Sequence, residues 1–151
     1  KWTTKSWAGN YNNNLQVLID NNHAANPSPN GKGFIIQDRP DLNKAASFST
    51  KPSSGGVSST YQTVNDNWIY IVGTNDSTNS ILYINGIYNN LLAESAPSTI
   101  NPYITYGVWQ NDGVYARYLN GKISSVKIYN RALSASEILQ NYNAIKPRYG
   151  L

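Results

Sequence analysis

The chain has no cysteine and no methionine in 151 residues, and only one histidine, His23. Without cysteine there is no disulfide, no thiolate nucleophile and no cysteine-ligated metal. Without an initiating methionine, the expectation is a processed chain or a piece of something longer. Charge is scarce as well, at 13% of residues, so the surface is expected to be neutral and hydrogen-bonding rather than ionic. No apolar run approaches the length that spans a membrane, and the first twenty residues are too polar for a signal peptide. Membrane insertion is therefore not expected. The twelve Lys and Arg residues give a net charge of +4 but never form a run. Nucleic-acid binding needs a clustered basic footprint, so that partner is not expected either, while mild attraction to an acidic polysaccharide or cell envelope stays open.

What the chain does have is Asn, Ser, Thr, Gly and, with twelve Tyr and four Trp, 12% aromatic residues. That aromatic content can bury large areas, which argues against disorder. The length suits one domain, expected to cover 1–151, with a proper core.

Most segments read as short strands. Trp2–Trp7, Leu15–Ile19, Phe34–Ile36 and Ala45–Phe48 are separated by polar or Pro-bearing loops, and Val57–Val64 alternates weakly, as an edge strand does. Trp68–Val72 is large and apolar on both alternating faces, the pattern of a central strand covered on both sides. Ile81–Ile84, Asn85-Gly86 and Ile87-Tyr88 form the clearest hairpin, since Asn-Gly supplies two positive φ angles. Tyr103–Trp109 alternates as a strand, and Asn120-Gly121 is predicted to turn into a further strand over Lys122–Tyr129. Ser134 stands three residues before Glu137, the reciprocal capping pattern that starts a helix, and Ile138, Leu139 and Tyr142 follow on one apolar face. Many short strands and one short late helix predict an all-β, two-sheet antiparallel sandwich, a jelly roll with a C-terminal helix.

The wording Leu82-Tyr83-Ile84-Asn85-Gly86, together with residues 119–138 (Leu-Asn-Gly-Lys-Ile-Ser-Ser-Val-Lys-Ile-Tyr-Asn-Arg-Ala-Leu-Ser-Ala-Ser-Glu-Ile), resembles the laminin-G-like jelly rolls of the concanavalin A-like lectin and glucanase superfamily. The resemblance is strong from Asn67 to Asn143 and diffuse before it. The tail from Tyr142 to Leu151 further resembles the C-termini of such domains in bacteriophage structural proteins. The resemblance implies binding of glycans or proteins, at a virion surface or outside the cell. It also implies a C-terminal strand paired with one just ahead of a segment like Trp2–Trp7. Nothing precedes Lys1 in this sequence, so the expectation is a pared-down sandwich, a strand lost with removed residues, or one supplied by another chain.

The superfamily's glucanases carry catalytic acids as Glu-x-Asp-x-Glu on one strand. Here Asp20, Asp38, Asp41, Asp66, Asp76, Glu94, Asp112 and Glu137 include no such pattern, so an enzyme is not expected. His23 lies in an Asn-rich loop with no Gly-x-Ser-x-Gly elbow. Many relatives hold Ca²⁺ at the sandwich rim, which makes Asp76 and Asp112 weak metal candidates, each a single carboxylate in its loop; plain turn chemistry explains both equally well. No cofactor is required. Asn75-Asp76-Ser77 is also an N-glycosylation sequon, relevant if a eukaryote secretes the protein.

Sugar recognition wants flat aromatic faces and planar amides. The predicted loop around Trp109, Gln110, Asn111, Asp112 and Tyr115 offers both, as do Tyr11, Asn12 and Asn13. Trp109 suits core packing and ligand stacking equally; for Trp7 and Trp68 core packing is favoured. The leading expectation is a non-catalytic module of a phage virion or microbial surface protein that recognises glycans or cell-surface ligands, within an oligomeric assembly. The alternative is a purely structural virion decoration module working through protein contacts.

Overall fold

The computed structural model describes residues 16–21, 33–39, 44–50, 56–60, 67–97, 103–111 and 114–151. Trp2–Trp7, Tyr11, Asn12, Asn13, His23 and Asp112 lie outside them.

Five antiparallel strands form the first sheet, in the order β4-β3-β2-β1-β8: β1 Val17–Asp20, β2 Ile35–Arg39, β3 Lys44–Ser49, β4 Val57–Ser58 and β8 Thr105–Tyr106. The second sheet has three, β5 Ile71–Asn75, β6 Asn79–Ile84 and β7 Ile87–Ala93, in sequential order. A separate hairpin joins β9 Trp109–Asn111 to β10 Val114–Ala116. One helix, α1, spans Ala135–Tyr149.

The sandwich follows from strand alternation. Leu82 and Ile84 of β6 meet Ala46 and Phe48 of β3 and Val57 of β4, with Phe34, Ile36, Ile69 and Ile71 packed around them. The odd positions of the same stretch, Tyr83 and Ile81, face the other way and meet Leu133 and Ile138, with Tyr70 and Val72 alongside. The second sheet is therefore apolar on both faces because one covers the first sheet and the other is covered by α1. Fully burying Leu82 and Ile138 contributes about 2–3 kcal/mol each. A Cβ on Gly73 of β5 would lie 2.3 Å from the Phe48 ring, so that ring rests directly on the β5 backbone.

The Asn85-Gly86 turn forms as predicted, with φ of 51° and 78°. It is tied back to Tyr70, whose N–H donates to Asn85 Oδ1 at 3.0 Å while the Asn85 N–H donates to the Tyr70 carbonyl at 2.8 Å. Tyr142 of α1 sits where a Gly86 Cβ would be, 2.8 Å away, and stacks on Tyr70 at 5.9 Å.

The sheets are cross-linked at one end by a buried carboxylate. Glu94, just after β7, accepts from the hydroxyls of Ser49 (2.8 Å) and Ser80 (2.6 Å) and from the Thr50 N–H (2.9 Å). Asn75 Nδ2 donates to the Glu94 carbonyl at 2.8 Å and reaches Thr50 and Ser80 as well. The Asn75 amide nitrogen is thus engaged within the fold and is not presented as a glycosylation acceptor.

Several strand expectations need correction. Trp68–Val72 has apolar contacts on both faces, but its strand begins at Ile71 and β5 lies at the edge of its sheet among the described residues. Tyr103–Trp109 is broken by Gly107, at φ 70°, into β8 and β9. Asn120-Gly121 has no positive φ, and Lys122–Tyr129 joins no sheet among the described residues; all eight of its residues are exposed. A strand pattern yields a strand only where a neighbour supplies the ladder. Trp68 is half-buried and packs on Tyr149, outside both core clusters.

The helix starts where predicted, on a complete Ser134–Glu137 capping box, but runs four turns rather than being short. Its end is set by Gly150 at φ 65°, whose N–H donates to the Lys146 carbonyl. Leu139, expected on the buried face, is 44% exposed, and Ile138 and Tyr142 do the packing instead. Arg131 grips Glu137 through both guanidinium nitrogens, at 2.6 and 2.9 Å. Those bonds and the Ser134 N–H and hydroxyl hold the Glu137 carboxyl at about 2, against an ordinary 4.5.

Two measurements check this account. Glu94→Ala leaves the Ser49, Thr50 and Ser80 donors facing a void and is expected to lower stability by about 3 kcal/mol in urea unfolding, against about 1 for Ser49→Ala. The cap stabilisation from Glu137 is fully present above pH 4.5 and is lost as the pH falls through about 2. A carboxyl NMR titration of Glu137 should show that low midpoint, and Arg131→Ala should return it toward the ordinary value.

Candidate functional site

The candidate site is an excursion from β1, from Tyr103 to Asn120. Its base is fixed by main-chain bonds. Thr105 and Tyr106 pair with Asp20 and Ile19. The Gly107 N–H donates to the Leu18 carbonyl at 3.0 Å, and the Leu119 N–H closes back on the Gly107 carbonyl at 2.8 Å. The Val17 N–H donates to the carbonyl of Arg117, a non-glycine residue held at φ 55°. Between these ties the β9–β10 hairpin projects, with Tyr115 opposite Gln110 and Ala116 opposite Trp109.

Buried polar side chains beneath brace the same segment. Asn21, fully buried, donates from Nδ2 to the Tyr103 carbonyl at 2.6 Å. Asp20, also fully buried, accepts from the Gln110 N–H at 3.4 Å. The Gln16 amide oxygen accepts from the Asn120 N–H, while Asp38 accepts from the Gln16 N–H. The sequence gives little warning of this layer. Its one signal is polar residues abutting the apolar run Leu15–Ile19, at Gln16 and at Asp20-Asn21.

The hairpin brings together only part of the predicted set. Directly opposed residues share a face of a ladder, so Gln110 and Tyr115 lie on one face and Trp109 on the other. Trp109 is half-buried, with the Arg117 guanidinium 4.8 Å above its ring, and it belongs to neither core cluster. Asn111 is the last residue of β9. The sequence reading missed the neighbours: Tyr103, Tyr106 and Tyr118 join Tyr115 as tyrosines more than half exposed. Tyr103 and Tyr106 had been absorbed into a continuous strand, which hid them.

Asp76 is far along the chain, at the β5–β6 turn. Its carboxylate accepts from the Thr78 and Asn79 N–H groups at 2.9 and 2.7 Å, which lowers its pKa below the ordinary value. Those bonds give Asp76 a turn role. Among the described residues no three His, Asp or Glu side chains gather as a metal site, and no helix is long and apolar enough to cross a membrane.

Comparison with known structures gives two matches. The CBM40 domain of the Ruminococcus gnavus IT-sialidase matches with a TM-score of 0.59 at 16% identity, over 92% of this chain and 77% of its own. An S-layer domain-containing protein from Clostridium thermocellum matches with a TM-score of 0.46 at 23% identity, over 94% of this chain and 69% of its own. Comparison with curated proteins gives no match. The family Laminin_G_3, of the concanavalin A-like lectin/glucanases superfamily, matches residues 3–139. With a two-sheet sandwich and a helix-covered second sheet behind that match, the chain belongs to the laminin-G-like branch of the concanavalin A-like lectin and glucanase superfamily.

Proposed function

We propose that this domain is a non-catalytic glycan-recognition module of a microbial surface or phage virion protein. The observation that carries the reading is the set of four exposed tyrosines, Tyr103, Tyr106, Tyr115 and Tyr118, on a single segment braced by Gln16, Asp20 and Asn21. Phenol faces stack on sugar rings, and phenol hydroxyls and the Gln110 amide are neutral partners for sugar hydroxyls. A backbone held by buried bonds keeps these groups in place before a ligand arrives, which lowers the ordering cost of weak, polar recognition. The fold shared with a CBM40 domain is consistent with that use.

The described carboxylates support a non-catalytic reading, because each is engaged in the fold. Asp20 braces β9, Asp38 holds the Gln16 backbone, Asp76 makes a turn, Glu94 links the sheets and Glu137 caps α1.

A glycan array followed by calorimetry on the best ligand tests the proposal. Tyr115→Ala is expected to weaken binding about tenfold, the equivalent of about 1.4 kcal/mol, with an unchanged urea midpoint. Asn21→Ala is expected to cost about 1–3 kcal/mol of stability and to speed amide exchange between Tyr103 and Asn111. An empty array, or binding indifferent to both Tyr115→Ala and Tyr118→Ala, would sink the reading.

A further inference from the structure

Three Asn-Gly pairs occur in the sequence, Asn30-Gly31, Asn85-Gly86 and Asn120-Gly121, and the first lies outside the described residues. In this dipeptide the main chain can attack the asparagine side chain, because glycine has no Cβ to obstruct its own nitrogen. The fold treats the two described pairs differently.

Asn85-Gly86 is held against that reaction. Both residues keep the left-handed φ of a hairpin turn, at 51° and 78°. The Asn85 amide oxygen accepts from the Tyr70 N–H at 3.0 Å, and the Tyr142 ring closes over Gly86, which is buried. Bringing the Gly86 nitrogen onto Asn85 Cγ would undo each of these contacts. Asn120 and Gly121 are both exposed to water, and neither takes a positive φ. The Asn120 N–H donates to Gln16 Oε1 and Gly121 makes an isolated β-bridge, so the main chain is pinned at points rather than wound into a tight turn.

We propose that Asn120-Gly121 is a self-modification site, where asparagine converts to aspartate and isoaspartate as the protein ages while Asn85 is spared. The Gly121 nitrogen attacks Asn120 Cγ; the new N–Cγ bond replaces the Cγ–Nδ2 bond, and ammonia leaves with the proton of the Gly121 N–H. Water then opens the five-membered imide. Opening at Cγ restores the main chain and leaves aspartate. Opening at the Asn120 main-chain carbonyl routes the chain through Cβ and Cγ and leaves isoaspartate. On either route one water enters and one ammonia leaves. A neutral amide becomes a carboxylate, and the formal net charge of +4 drops by one.

The position gives the change its consequence. The Asn120 bond to Gln16 closes the far end of the Tyr103–Asn120 excursion, beside the Leu119 N–H bond to Gly107. Isoaspartate lengthens the main chain by one carbon directly after that tie and loosens it. Under the recognition reading given above, ageing therefore weakens binding; the chemistry itself does not rest on that reading.

Peptide-mapping mass spectrometry on the intact protein, kept in warm neutral buffer and sampled over time, tests the site, with an isoaspartyl methyltransferase marking the isoaspartate product. A parallel sample unfolded in guanidinium chloride supplies the reference, in which the two pairs should age at comparable rates. In the folded protein Asn120 should convert at least about tenfold faster than Asn85. Its rate should rise with pH, because the attacking nitrogen must shed its proton. Gly121→Ala should slow conversion at Asn120 by about tenfold or more with circular dichroism unchanged. The isolated isoaspartate form should exchange the Leu119 and Asn120 amides faster than fresh protein, with the β6 amides unaltered. The proposal is overturned if Asn85 ages as fast as Asn120 in the folded protein, or if Asn120 stays intact there while it reacts in the unfolded chain. Unaltered exchange at Leu119 and Asn120, or an aged form that binds the array ligand as tightly as fresh protein, overturns the consequence drawn for the surface. An empty array sinks the recognition reading and leaves the ageing result standing.

Discussion

The carboxylate of Glu94 is the constraint on which the rest of the structure depends. The apolar cluster between the sheets specifies that they face each other, but oily contact alone tolerates sliding. Glu94 does not, because its oxygens must meet Ser49 and Thr50 at the end of β3 and Ser80 in β6 at once. A buried carboxylate is costly unless its bonds are all made, so one register of the two sheets is favoured over its neighbours. Phe48, one residue before Ser49, is thereby aimed at the bare β5 backbone over Gly73.

The second sheet then dictates the C-terminal third. Because Tyr83 and Ile81 point away from the sandwich, the sheet has an oily outer face that demands a cover. Helix α1 provides it through Ile138 and Tyr142, and the turn at Gly86 is bare enough for the Tyr142 ring to close over it. Covering the sheet in this way pulls the chain tight at Leu133. The stretch before it is left spanning the gap with its side chains in solvent.

Features that depend on adjacent residues were legible in the sequence. The Asn85-Gly86 turn, the Ser134–Glu137 cap and the two apolar faces of Trp68–Val72 are local, and each forms where the residues place it. Asn120-Gly121 has the same letters as Asn85-Gly86, but among the described residues no strand returns from it, and neither residue takes a positive φ. The dipeptide permits a hairpin; only a partner strand requires one. Nor could the sequence show that Asp20 and Glu94 are buried, since Gln110 and Ser49, the groups they serve, lie 90 and 45 residues away. Of the candidate site, Gln110 and Tyr115 share one face of the β9–β10 hairpin and Trp109 takes the other, Tyr103 and Tyr106 were concealed by an apparent strand that Gly107 breaks, and Tyr118 stood outside every predicted element.

The manner in which the Tyr103–Asn120 excursion is anchored has a consequence for how such a domain changes over time. Most of its ties are made by main-chain groups of the excursion to side chains and main chain of Gln16–Asn21, and the Thr105 hydroxyl adds a bond to the Asp20 carbonyl. The side chains of Tyr106, Tyr115 and Tyr118 are more than half exposed, so drift at these positions meets little resistance from folding. A lineage can rewrite what this surface recognises one residue at a time while inheriting the same scaffold. The corresponding freedom for a protein engineer is a set of outward positions that can be randomised without touching Gln16, Asp20 or Asn21.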